Sequence, residues 1–149
     1  MLEFRYAERK DTELILKFIH ELAEYENLSD QVVATAELLE EWIFDKKKAE
    51  VILAVEDGKD VGFALFFHNF STFLGRAGIY LEDLYIMPKY RGKGYGKALF
   101  EELKKETRRM GGARMEWLCL DWNTPSMKFY QNNGGQPMET FVTYRLPLD

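Results

Sequence analysis

The sequence predicts an α/β fold: one domain over residues 1–149, with a mixed central β-sheet flanked by about four helices. Three observations carry this. Apolar residues alternate at period two in some stretches and recur at three- and four-residue spacing in others. Two apolar runs flank an Asp57-Gly58 turn, which makes a β-hairpin. Later, a strand, a glycine-rich turn, a helix and a second strand follow one another, an order that calls for a parallel pair with a right-handed crossover. A hydrophobic share of 46% with 15% aromatics excludes a disordered chain, and 149 residues suffice for one domain with a real core.

Leu2, Phe4 and Tyr6 alternate with Glu3 and Arg5, giving a first strand with one buried face. A helix follows, opened by Asp11 and Glu13, where acids suit the dipole. Its apolar face is Leu14, Phe18, Leu22 and Tyr25, widened by Ile15, Ile19 and Ala23. Glu21 to Asp30 is acidic and reads as a helix end and loop, and for most of its carboxylates a solvated role suffices. Thr35 is the expected N-cap of a second helix through Leu38, Leu39, Trp42 and Ile43, closed by Lys46-Lys47-Lys48. The hairpin strands run from Val51 to Val55 and from Val61 to Phe67. Gly62 marks a bulge or a close approach, and Phe66, Phe67, Phe70 and Phe73 read as core by default, with the wall of a substrate tunnel as the alternative.

Asn69 to Gly75 reads as a turn into a strand from Ala77 to Met87, which Pro88 ends because it has no N–H for a ladder. The next helix opens at Lys97-Ala98-Leu99-Phe100 and stops at Gly111-Gly112. Arg114 to Asp121 is a further strand. Asn123 caps a short helix with Pro125 in its first turn, and Phe141 to Leu146 is a last strand.

Composition narrows the function classes. A net charge of −5 argues against nucleic acid and suits a cationic substrate. No apolar run approaches the roughly 20 residues that span a bilayer, so no membrane association is expected. Met1 to Arg5 reads as a strand start rather than a signal peptide. With Cys119 alone no internal disulfide forms, and a cytoplasmic protein is the simplest expectation. His20 and His68 lie far apart without metal-ligand spacing, so no metal is expected.

The chemistry concentrates between Tyr80 and Phe100. Glycines at 92, 94 and 96 at a helix N-terminus let backbone N–H groups approach an anion, and the dipole favours negative charge there. The expected ligand is phosphate. The Walker pattern fails: the position five after Gly92 is Lys97, and Ala98 cannot ligate magnesium. The dinucleotide pattern fails too, from either Gly92 or Gly94. Arg-x-x-Gly-x-Gly does fit, as Arg91, Gly94 and Gly96.

This pattern resembles the pyrophosphate loop of the GCN5-related N-acetyltransferases (the GNAT superfamily), which hold acetyl-CoA. Asn123, Ser126, Tyr130 and Gly134 match that family's second signature, in the right order and with a strand between. Glu21-Leu-Ala-Glu-Tyr25-Glu26, Tyr80-Leu-Glu-Asp83, Tyr90-Arg-Gly92 and Asn123 to Tyr130 further resemble the spermidine/spermine (diamine) acetyltransferases. The resemblance spans the chain and implies a GNAT fold, an N-acetyltransferase and a homodimer. It implies that Leu84, Tyr85 and Ile86 hold the acetyl group and pantetheine through backbone groups. Arg91, Gly92, Lys93, Gly94, Tyr95, Gly96 and Lys97 would cradle the pyrophosphate, and Asn123, Thr124, Pro125 and Ser126 would complete the cofactor site. Tyr25, Glu26, Glu82, Glu116, Trp117 and Leu118 would meet the amine, with Tyr130 as the catalytic acid. Two departures bear on the substrate. Thr72 and Val142 stand where polyamine enzymes carry acids, which puts polyamines in doubt and favours thialysine or other small amines bearing a carboxylate. A short diamine or a lysine-like amino acid is therefore as credible as spermidine.

A primary amine of pKa ~10.4 is only about 0.1% neutral near pH 7.4, so a base is needed. Glu82 is the candidate, acting through water. Strand alternation lets only one of Glu82 and Asp83 face the site, and an ion pair of Glu82 with Arg91 or a lysine is the competing role. Cys119, in an apolar run without a histidine beside it, is expected to be inert, which favours direct transfer over an acetyl-cysteine. Two rivals remain: a peptide or protein N-acetyltransferase, and a non-catalytic acetyl-CoA sensor.

Overall fold

The computed structural model describes residues 1–148, and the chain divides into two compact units, Met1–Leu118 and Cys119–Asp149. The first unit holds a five-stranded sheet in the order β1 (Leu2–Tyr6), β2 (Glu50–Glu56), β3 (Lys59–Ser71), β4 (Arg76–Ile86), β5 (Met115–Trp117). The first three pairings are antiparallel and β4–β5 is parallel, so the sheet is mixed. Helix α1 (Thr12–Tyr25) and helix α3 (Tyr95–Arg109) belong to the same unit, with a short α2 (Ala36–Leu39). The second unit contains α4 (Thr124–Asn132).

The core follows from the sequence periodicities. Ile15 and Phe18 of α1 are fully buried with Ile43, Val51, Leu53, Phe63 and Tyr85. Phe18 stacks on Phe63 at 5.5 Å and tilts against Tyr85 at 5.8 Å. Leu99, Phe100 and Leu103 of α3 are buried as well. Phe100 meets Trp117 of β5 edge-on, centroids 5.2 Å apart. Tyr25 departs from the expected apolar face of α1, since it is 42% exposed.

Gly62 makes the close approach foreseen for it. A Cβ there would lie 2.3 Å from the carbonyl oxygen of Tyr85, so only glycine lets β3 and β4 pair at this point. Thr35 caps α2 by accepting a hydrogen bond from the Leu38 N–H at 3.2 Å. The expected second helix does run through Trp42 and Ile43, α-helical over Ala36–Leu39 and continuing with π-helical bonding over Glu40–Asp45.

Five expectations need correction. Asn69 and Phe70 lie within β3, laddered to Gly78 and Ala77, so the turn begins only after Ser71. Phe70 and Phe73 are exposed rather than core. Helix α3 opens at Tyr95, two residues earlier than Lys97, because Gly94 at φ 80° already supplies the N-cap. The strand expected over 114–121 is only Met115–Trp117, and 141–146 forms no strand. For β5 the cause lies in β4. Leu65 pairs Asp83 while Phe66 pairs Leu81, so Glu82 is the extra residue of a β-bulge. A bulge bends its strand and disrupts the neighbouring ladder, and the last β4–β5 pair, Leu81–Trp117, sits immediately before it. Residues 141–146 have alternating apolar side chains but no partner ladder among the described residues, and Phe141, Val142, Tyr144 and Leu146 are exposed.

No helix among the described residues is long and apolar enough to cross a membrane.

Candidate active site

The bulge also changes which side chains can work together. Regular alternation would put Glu82 and Asp83 on opposite faces. With Glu82 inserted as an unpaired residue, strict alternation fails, and both carboxylates act electrostatically on Glu26 at the end of α1 or on each other. Asp83 is half-buried, and desolvation, followed by repulsion from Glu82 and Glu26, pushes its pKa up from 3.8 to about 7. Glu26 is raised as well, first by burial and then by Glu82. Among the described residues none of these three acids is in an ion pair, so the competing role of Glu82 as a partner of Arg91 or a lysine is not the one formed. The sequence points to Glu82 rather than Asp83 as the base, because the environment of Asp83 depends on a register shift that no local pattern announces.

Arg91 is held differently. Its Nε donates to the Ile86 carbonyl at 2.8 Å, and its guanidinium lies over the rings of Tyr25 and Tyr85, at 5.4 and 5.5 Å. Tyr85 in turn donates its hydroxyl to Glu21 at 2.7 Å. This links the end of α1, the end of β4 and the glycine loop, and it explains why Tyr25 leaves the core.

The loop itself fits an anionic ligand. Gly92 and Gly94 have φ of 81° and 80°, which side chains rarely adopt, and a Cβ at either would meet nothing within 4 Å. The space is open. First-turn N–H groups of α3 have no intrahelical partner, and Gly94 brings no capping side chain to them. The loop is fastened by Glu56 of β2, which accepts from the Tyr95 hydroxyl and from Lys93 at 3.3 Å. Glu56 was also missed, since 37 residues separate it from Lys93. Leu84 to Ile86 lie in the part of β4 beyond Leu81, where β3 pairs on one side and β5 no longer pairs on the other.

Of the β5 candidates, Glu116 stands opposite Tyr80, which stacks on Phe67 at 5.0 Å. Trp117 turns to Phe100 of α3, and Leu118 is exposed. In the second unit Asn123 caps α4, its Oδ1 accepting from the Ser126 N–H at 3.3 Å, with Thr124 and Pro125 in the first turn. Tyr130 packs edge-on to Phe129 at 5.5 Å. Cys119 is exposed, not sheltered in an apolar strand. Among the described residues no group of three or more His, Cys, Asp and Glu is placed to hold a metal ion.

Comparison with known proteins identifies the family. Residues 15–134 match the sequence model of the acetyltransferase (GNAT) family. A thialysine N-epsilon-acetyltransferase of Bos taurus is 36% identical over 90% of this chain and 84% of its own length. An L-ornithine N5-acetyltransferase of Arabidopsis thaliana is 28% identical over 97% of this chain and 84% of its own. Among solved structures, an integron cassette protein from the mobile metagenome of V. cholerae superposes with a TM-score of 0.81 at 25% identity, covering 99% of this chain and 93% of that one. With the strand, glycine loop and helix in place and the family match spanning most of its length, the chain belongs to the acetyltransferase (GNAT) family and is an N-acetyltransferase.

Proposed function

We propose that the chain transfers the acetyl group of acetyl-CoA to the primary amine of a small cationic substrate, by direct attack in a ternary complex. The observation that carries this reading is the acid cluster at the β4 bulge, where Asp83 is poised near neutrality beside Glu82 and Glu26. Relatives named for thialysine and ornithine support an amine on a short aliphatic chain. Acetyl-CoA supplies a thioester, and residues 91–97 with the N–H groups of α3 would hold its pyrophosphate.

The steps follow from the residues. Glu26 and Glu82 attract the substrate ammonium. Asp83, with Glu82 beside it, accepts its proton, directly or through water. An ordinary glutamate near ~4.3 would face a gap of about six units to an amine near ~10.4. A carboxyl held at about 7 closes nearly half of that. We therefore place the proton on Asp83 rather than on Glu82, which stays as the cation's partner. The freed amine attacks the acetyl carbonyl, and CoA leaves as the thiolate. Tyr130, by its place in the second motif, donates the proton to that sulfur.

Two outcomes check these assignments. Tyr130→Phe should lower kcat by about 10²–10⁴-fold with acetyl-CoA affinity unchanged, and full turnover would remove the acid role. Initial rates should give intersecting double-reciprocal lines, and Cys119→Ser should retain them. Parallel lines with loss of activity in Cys119→Ser would instead establish an acetyl-cysteine. A sensor that bound acetyl-CoA tightly would release no CoA with any amine.

A further inference from the structure

We infer that Arg114, immediately before β5, with Glu116 and Asn69, forms a receiving site for the α-amino and carboxylate groups of an amino-acid acceptor and thereby selects against long polyamines. The inference rests on the amine-acetylating reading above. It begins with the face on which the acceptor must lie. Phe67 and Tyr80 stack at 5.0 Å on adjacent positions of β3 and β4, and make a flat apolar floor. At one end of that floor are Glu82 and Asp83, where the reacting amine is held. Toward the other end, Glu116 is paired in register with Tyr80, and its charge bears on the Tyr80 hydroxyl together with that of Glu82. The floor thus runs between two poles.

The second pole is not simply acidic. Asn69 donates its side-chain amide to Glu116 Oε1 at 3.0 Å, and Arg114 Nε lies 3.6 Å from the same oxygen. Arg114 and Glu116 both keep much of their side chains exposed, at 46% and 40%. A zwitterionic head group matches this set, its ammonium against Glu116 and its carboxylate against the Arg114 guanidinium, the side chain best suited to carboxylates.

Spacing supports the match. With Glu82 as the extra residue of the bulge, Asp83 and Tyr80 stand opposite Leu65 and Phe67, two residues apart on β3, which is about 7 Å along the sheet. A lysine-like acceptor has about 7.5 Å between its two nitrogens at ordinary bond lengths, which matches this span. The third nitrogen of spermidine lies about 11 Å from the first. It would pass Glu116 and meet Arg114, which stands two residues further from the reacting end, and like charges there oppose binding. Nothing local in the sequence marks Arg114 and Glu116 for this task, because Tyr80 of β4 and Asn69 of β3 come beside Glu116 only through the sheet.

The test compares lysine with cadaverine, the same chain without the carboxylate, and adds thialysine and spermidine. In the native protein, kcat/KM should favour the amino acids. Arg114→Gln should lower kcat/KM for lysine and thialysine by about 10- to 100-fold, chiefly through KM. For cadaverine it should be unchanged or raised, and for spermidine raised. Arg114→Lys should recover part of the amino-acid preference through its charge. A melting temperature and an acetyl-CoA affinity equal to the native values would show that fold and donor site are intact. If the native protein acetylates amines, yet lysine and cadaverine react equally and Arg114→Gln leaves their ratio unchanged, the receiving site is refuted while the amine-acetylating function stands. If no amine is acetylated at all, it is that function which falls.

Discussion

Asp83→Asn should lower kcat/KM for the amine by about 10²–10³-fold and erase the ionisation that governs its acidic limb. In the native protein that limb should rise through about pH 7, because the carboxyl must lose its proton before it can accept the amine's. Glu82→Gln should behave differently. It removes a negative neighbour that raises Asp83, so the limb should move to lower pH while binding of the cation weakens. If Glu82→Gln abolished the limb and Asp83→Asn only shifted it, the two roles would be reversed. Stability gives an independent reading of the same group. The folded state holds the Asp83 proton more tightly than the usual 3.8, so it binds more protons than the unfolded chain between about pH 4 and 7. The native protein should therefore lose stability as pH rises across that window and then level off. Asp83→Asn, neutral throughout, should lack this loss and melt higher than the native protein at pH 8, with less difference at pH 4. A site that destabilises its own fold in this way is in keeping with catalytic groups held in costly environments.

Phe18→Ala is expected to have the largest effect on the fold. The ring is fully buried and packs on both Phe63 and Tyr85, which join α1 to β3 and β4. Truncation should cost about 3–5 kcal/mol, because the rigid sheet beneath cannot close the cavity. For a chain of this size the melting temperature should fall on the order of 10 °C. The same change would loosen Tyr85, whose hydroxyl reaches Glu21 and whose ring lies under Arg91. Activity should consequently drop more than the folded fraction does. A variant that melted normally would show that the contact of α1 with the sheet is not what holds this core together.

What could be read from the sequence was what local rules dictate. Thr35 and Asn123 cap their helices because their side chains reach N–H groups three residues on. Asp57-Gly58 closes the β2–β3 hairpin and Gly62 meets a neighbouring strand. Gly92 and Gly94 adopt the left-handed backbone that an anion-binding loop at a helix start requires. What stayed hidden depends on pairing across the sheet. The bulge at Glu82 follows from the register of β3 against β4, and with it come the short β5 and the environment of Asp83. Glu56 on the glycine loop, Tyr25 under Arg91, and Asn69 on Glu116 are likewise contacts between distant segments. Periodicity also misleads where an apolar run is left without a ladder, as over 141–146.

The most direct measurement is mass spectrometry of the amine after incubation with acetyl-CoA and the protein, for thialysine, lysine, putrescine, spermidine and a lysine-containing peptide in parallel. The account predicts one added acetyl group on a small free amine, formed faster than on the peptide, with CoA released in equal amount. Acetylation confined to the peptide, or none on any acceptor while acetyl-CoA binds tightly, would contradict it.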